Sequence, residues 1–104
     1  MKSATISRAT SGNGTAVVAG IAGKRIYIYG LLVQAAGTAN VKLRYSSDGA
    51  AFTDLTGPLP EVANSGFERS TSTVPYYILP AGAGLYVNSD AAVQVSGDVQ
   101  YAVK

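Results

Sequence analysis

The sequence predicts an all-β protein: a single-domain antiparallel β-sandwich, jelly-roll-like, of about eight strands over residues 1–104. Three observations predict it. Short runs of alternating apolar and polar residues recur along the chain, which is the period of a half-buried strand. Clusters of Gly, Pro, Asn, Asp or Ser stand between the runs, as in sandwiches and barrels. No window carries an i, i+3, i+4, i+7 apolar stripe with a cap at each end, so no helix is expected.

The first run is residues 4–8, with Ile6 its one large aliphatic. Residues 1–11 are also expected to serve as an N-terminal arm. Ser11-Gly12-Asn13-Gly14 is a turn, and residues 15–19, with Val17 and Val18, are the second run. Gly20-Ile21-Ala22-Gly23 bends the chain. The third run, 24–36, is the longest. Strict alternation puts Ile26, Ile28, Gly30 and Leu32 on one face and Tyr27, Tyr29, Leu31 and Val33 on the other. Both faces are apolar, so both are expected to be covered. Gly30 marks a bulge or a close backbone approach.

After Gly37-Thr38, residues 40–46 alternate cleanly, with Val41, Leu43 and Tyr45 inward and Lys42 and Arg44 outward. Ser47-Asp48-Gly49-Ala50 is a hairpin signal, because Asp-Gly suits the positive φ angles of a type I′ turn. The return strand is residues 51–55. Thr56-Gly57-Pro58-Leu59-Pro60 then breaks the ladder, since proline cannot donate to it. Asn64-Ser65-Gly66 turns the chain into a polar run at 67–73, expected as an edge strand or loop. Residues 75–79 follow, then the bend Pro80-Ala81-Gly82-Ala83-Gly84 and a strand at 85–88. The last two strands are 92–95 and 99–103, joined by a turn at Ser96-Gly97-Asp98.

Composition narrows the chemistry. The chain has no Cys and no His, which removes disulfides, thiol nucleophiles, imidazole bases and the common zinc sites. Charged residues are 13% of the chain, against roughly 25% in ordinary soluble domains. So sparse a charge suggests that much of the surface faces another protein. The net charge is +2, too small for a nucleic-acid footprint. No run reaches the roughly 18 apolar residues of a membrane span. The start MKSATISRAT lacks the apolar segment of a secretory signal, so synthesis and folding in a cytoplasm are expected. Neither nucleic acid nor membrane is expected as a partner, and no cofactor or metal is.

Candidate chemistry reads as structure. Asn88-Ser89-Asp90 with Asp98 offers too few carboxylates for calcium, which takes six to eight oxygens, and Asx residues at turns bond their own backbone. Asp48, Asp54, Glu61 and Glu68 would serve a glycosidase only if two faced each other across a cleft. Gly20–Gly23 and Gly82–Gly84 lack the strand-to-helix context of a phosphate loop. No catalytic residue is assigned, and an enzyme is not expected. The seven tyrosines leave three readings open, in this order: a subunit interface, packing at the sandwich rim, and a sugar-stacking platform. The candidate interface residues are Tyr27, Tyr29, Leu31, Val33, Tyr76, Tyr77 and Tyr86.

Several segments together carry a family resemblance: residues 16–26 (AVVAGIAGKRI), 53–59 (TDLTGPL), 63–67 (ANSGF), 83–88 (AGLYVN), and 91–97 (AAVQVSG) leading to Val99-Gln100-Tyr101. In order and spacing, over roughly residues 15–103, the chain resembles the small all-β virion structural proteins of tailed bacteriophages, of the head decoration or cement type. It departs from them at Ser46-Ser47-Asp48-Gly49 and at Val74-Pro75-Tyr76-Tyr77. The resemblance implies a non-enzymatic capsid decoration protein, localised on the virion surface, that binds the shell of major capsid protein as a homotrimer and stabilises it. The alternative is a tail- or fibre-associated module that binds host-surface carbohydrate, with a glycan as its partner.

Overall fold

The computed structural model describes residues 2–57, 59–62 and 64–104; Met1, Pro58 and Ala63, which fall in the expected arm and in the LTGP and ANSGF segments, lie outside the described residues. Among the described residues nine strands form: β1 Lys2–Arg8, β2 Ile26–Ala35, β3 Ala39–Ser46, β4 Thr53–Asp54, β5 Leu59–Glu61, β6 Ser65–Arg69, β7 Tyr77–Ile78, β8 Gly84–Ser89 and β9 Val95–Val103. All pairings are antiparallel. The fold is the expected all-β sandwich.

One sheet runs β1-β9-β2, with β6 and β7 sharing the far edge of β2: β7 pairs with Tyr27 and Ile28, and β6 with residues 31–35. The second sheet centres on β3. β8 covers one edge, and β4 and β5 divide the other. The core between the sheets is aliphatic. Ile6, Ile26, Ile28, Leu31, Val33, Val95 and Val99 come from the first sheet, and Val41, Leu43, Leu85 and Val87 from the second.

Four local expectations are corrected. Lys2–Arg8 is not a free arm: it pairs with β9 along its whole length and buries Ile6. Residues 15–19 are not a strand, and touch the β8 edge only through a bridge from Val18 to Leu85. The break at 56–60 ends in a strand, because β5 pairs with residues 39–41. Ser96-Gly97-Asp98 is not a turn but the interior of β9, whose Gly97 sits opposite Val33. Glycine is required there because a Cβ would overlap the Leu32 carbonyl oxygen. The residue therefore marks a close approach between backbones, the other meaning of glycine inside a strand.

The faces of β2 are also corrected. Ile28 pairs with Tyr101 and Gly30 with Gln100, leaving Tyr29 as the extra residue of a bulge. The bulge shifts the alternation by one. Ile26 and Ile28 point inward before it, and Leu31, Val33 and Ala35 point inward after it. Leu31 and Val33 therefore fill the chain's own core, and Leu32 is left exposed on the outer face.

Candidate interaction surface

The two flanks of the sandwich differ. On one, the segment after β1 crosses to the second sheet and runs beside β8. Gly12 and Ser89 exchange backbone hydrogen bonds of 2.7 and 3.2 Å, and Val17 N and Leu85 N bond to Leu85 O and Val18 O at 2.8 and 2.9 Å. Between these bridges the Arg8 guanidinium donates to Val87 O, and to Thr10 O at 2.8 Å. Burial of this guanidinium lowers its pKa.

The opposite flank is open. A cleft of about 710 Å³ lies between the β6–β7 side of the first sheet and Leu55, Thr56 and Leu59 of the second. Its apolar lining is Leu31, Leu55, Leu59, Phe67, Tyr76 and Tyr77, with Glu68 and Arg69 among its polar groups. Beside it the chain leaves Val74, Tyr76 and Ile78 exposed at 67, 36 and 50%. Tyr77–Ile78 is strand, with Ile78 outward and Tyr77 and Leu79 packed on the core; Val74 and Tyr76 lie in the bends that lead into it. Backbone bonds from Ser72, Tyr76 and Leu79 to Tyr29, Ile28 and Ile26 hold the segment on β2. The stripe is thus fixed in place along the sheet edge.

The tyrosines divide between places. Tyr27 and Tyr29 lie under the Lys104 ammonium, 4.9 and 5.7 Å from their ring centroids, and Lys104 Nζ donates to Tyr29 Oη at 3.1 Å. Tyr29, expected at an interface, is buried within the chain itself, and Tyr27 is half-buried. The Tyr76 hydroxyl donates to Ser70 O at 2.8 Å, and its ring lies 5.1 Å from the Arg69 guanidinium carbon. Tyr77 lines the cleft. Tyr86 is on the other sheet, edge-on to Phe52 at 4.9 Å, and is not brought together with the rest. Sequence reasoning missed Val74 and Ile78, whose period-2 spacing around Tyr76 was the available signal, and it missed Lys104 and Arg69.

The carboxylates of Asp48, Asp54, Glu61 and Asp90 are held by hydrogen bonds or ion pairs. Asp48 accepts from Ala50 N, Ala51 N and Ser46 Oγ at 2.9–3.0 Å. The bonds from Ala51 and Ala50, then Ser46, hold its pKa below the usual carboxylate value. Asp90 accepts from Asn40 N at 2.7 Å and Nδ2 at 2.8 Å, which lowers its pKa likewise. Asp54 pairs with Arg44 at 2.7 Å and Lys42 at 3.4 Å. Glu61 accepts from Ser65 Oγ at 2.8 Å. Glu68 and Asp98 both flank Leu32 in register. Among the described residues no three such groups gather as a metal site would need.

Comparisons with protein-family models, with curated proteins and with solved structures return no match for this chain.

Proposed function

We propose that this protein is a non-enzymatic structural protein of a tailed-phage virion, a decoration protein that docks on the shell of major capsid protein as a homotrimer and stabilises it. The observation that carries the reading is the fixed apolar edge Val74–Tyr76–Ile78 beside an open apolar cleft. Contiguous exposed apolar surface of this kind marks contact with another macromolecule. Aromatic side chains suit such contacts because they bring large rigid areas. The resemblance of the sequence to virion decoration proteins supplies the partner. A shell repeats one site many times, so modest contacts multiply across a symmetric oligomer.

The test is cosedimentation with shells assembled from the capsid protein encoded with this chain, together with the absolute mass in solution. Saturable binding and three times the chain mass support the reading. A protein that never pellets with shells contradicts it.

A second reading, glycan binding in a tail or fibre, is favoured by one feature: Phe67, Tyr76 and Tyr77 line a cleft that also holds Glu68 and Arg69. Arg69 already stacks on the Tyr76 ring, so that ring has one face left for a sugar, and this reading comes second. Binding to a glycan array without binding to shells would reverse the order.

A further inference from the structure

The cations are unevenly spread. Of the eight Lys and Arg, Lys42 and Arg44 pair with Asp54 on the second sheet, and these are the ion pairs among the described residues. Arg8 is tied to backbone carbonyls. Lys24, Arg25 and Lys104 instead gather where β2 begins and β9 ends. Arg25 and Lys104 exchange backbone hydrogen bonds of 2.8 and 3.0 Å, which extends the β2–β9 ladder by one pair. Since Tyr27 pairs with Ala102 and with Ile78, Arg25 and Lys104 share the outer face with Tyr27 and Ile78. Lys24 precedes them, held by a bond from its N–H to Ile21 O at 3.0 Å. All three cations are exposed, as are Ile21 and Ile78.

The result is an apolar and aromatic centre, Ile78 and Tyr27, bordered by Arg25 and Lys104, with Lys24 next along the chain; among the described residues no carboxylate side chain pairs with any of the three. It is continuous with the Val74–Tyr76–Ile78 edge. We infer that this end of the first sheet is the docking surface for an acidic patch on the shell protein. The inference rests on the decoration reading and names which part of the molecule meets the shell and with what chemistry. Charge complementarity carries it: Arg25 and Lys104 beside an apolar centre, with Lys24 adjoining, favour a carboxylate-rimmed partner, steer its approach and make the association salt-dependent. Tyrosine under a cation combines an apolar body with a polar rim, the composition of binding hot spots.

The test compares two variants that lose the same two charges. Lys24→Gln/Arg25→Gln alters this surface, and Lys42→Gln/Arg44→Gln alters the opposite sheet. Thermal melts confirm that both fold. Affinity for undecorated shells is measured at two salt concentrations. The 24/25 variant is expected to bind about tenfold or more weakly, with a flatter salt dependence, and the 42/44 variant to stay within about threefold of the parent. Equal effects, or none at position 24/25, overturn the inference while leaving the decoration reading intact. Failure of the parent to bind shells removes that reading first. A duplex DNA probe of 20 base pairs bound more tightly than shells at the same salt would overturn the acidic-protein assignment in favour of nucleic acid.

Discussion

The guanidinium of Arg8 donates to the carbonyl of Val87 on the flank that the N-terminal segment closes. The contact spans 79 positions of sequence and joins the end of β1 in one sheet to the outer edge of β8 in the other. It stands where a backbone partner would stand if residues 12–18 paired continuously with β8. Arg8→Ala leaves that carbonyl without its donor and loosens the closed flank. We expect a loss of about 1–3 kcal/mol, the usual cost of orphaning a part-buried acceptor, measured by chemical denaturation. An unchanged midpoint would mean the segment holds without Arg8.

The second prediction concerns close backbone approaches on both sides of β2. A Cβ at Gly97 would overlap the Leu32 carbonyl oxygen, and one at Gly66 the Val33 carbonyl oxygen. Backbone cannot yield as a flexible side chain can. Gly97→Ala and Gly66→Ala are each expected to cost about 3 kcal/mol or more, at the upper end of single substitutions. Gly57→Ala, with nothing within 4 Å of its Cβ, should stay within about 0.5 kcal/mol.

The third follows from the bulge at Tyr29. Leu31 is 2% exposed and Leu32 41%. Leu31→Ala should cost about 2–5 kcal/mol through lost burial and the cavity left behind. Leu32→Ser should change stability by about 0.5 kcal/mol or less. The reverse ranking would mean that the alternation runs unshifted through residue 29.

Acid stability gives the fourth. Hydrogen bonds lower the pKa of Asp48 and Asp90 in the fold, so each ionised carboxylate favours the folded state. That contribution is fully present above the unfolded carboxylate pKa of about 3.9 and is lost as pH falls through the lower folded value. Melting temperature should therefore fall below about pH 4, and the acid limb should be shallower in Asp48→Asn and Asp90→Asn. Identical acid limbs in parent and variants would show that other groups govern it.

Strand and turn grammar made much of the fold legible. Val41, Leu43 and Tyr45 alternating with Lys42 and Arg44 placed β3, and Asp48-Gly49 marked its connection to β4, but that connection runs from Ser46 to Thr53 with a positive φ at Gly49 and not at Asp48, so it is not the expected type I′ turn. Three features were illegible for one physical reason: they depend on what lies across the sheet. Gly97 has the local look of a turn residue, yet it is needed for close approach to Leu32. Tyr29 is an ordinary strand residue whose bulge appears only in the register with Tyr101 and Gln100. Residues 15–19 have strand composition, but Arg8 takes the place of a continuous ladder. The candidate surface was partly legible. Tyr27, Tyr76 and Tyr77 lie on or beside it, whereas Leu31, Val33 and Tyr86 were assigned by strict alternation or by residue type. The cationic border could not be read, because Lys24, Arg25 and Lys104 are separated along the chain and meet only through the β2–β9 pairing.

The claim that this protein docks on a shell through the open edge of its first sheet is tested most directly by backbone hydrogen exchange, with the protein free and bound to undecorated shells. Slower exchange on binding is expected in residues 74–80 and 25–27 and at the end of β9. Protection confined to β1 or to the β3–β8 sheet, or no complex with shells at all, would contradict it.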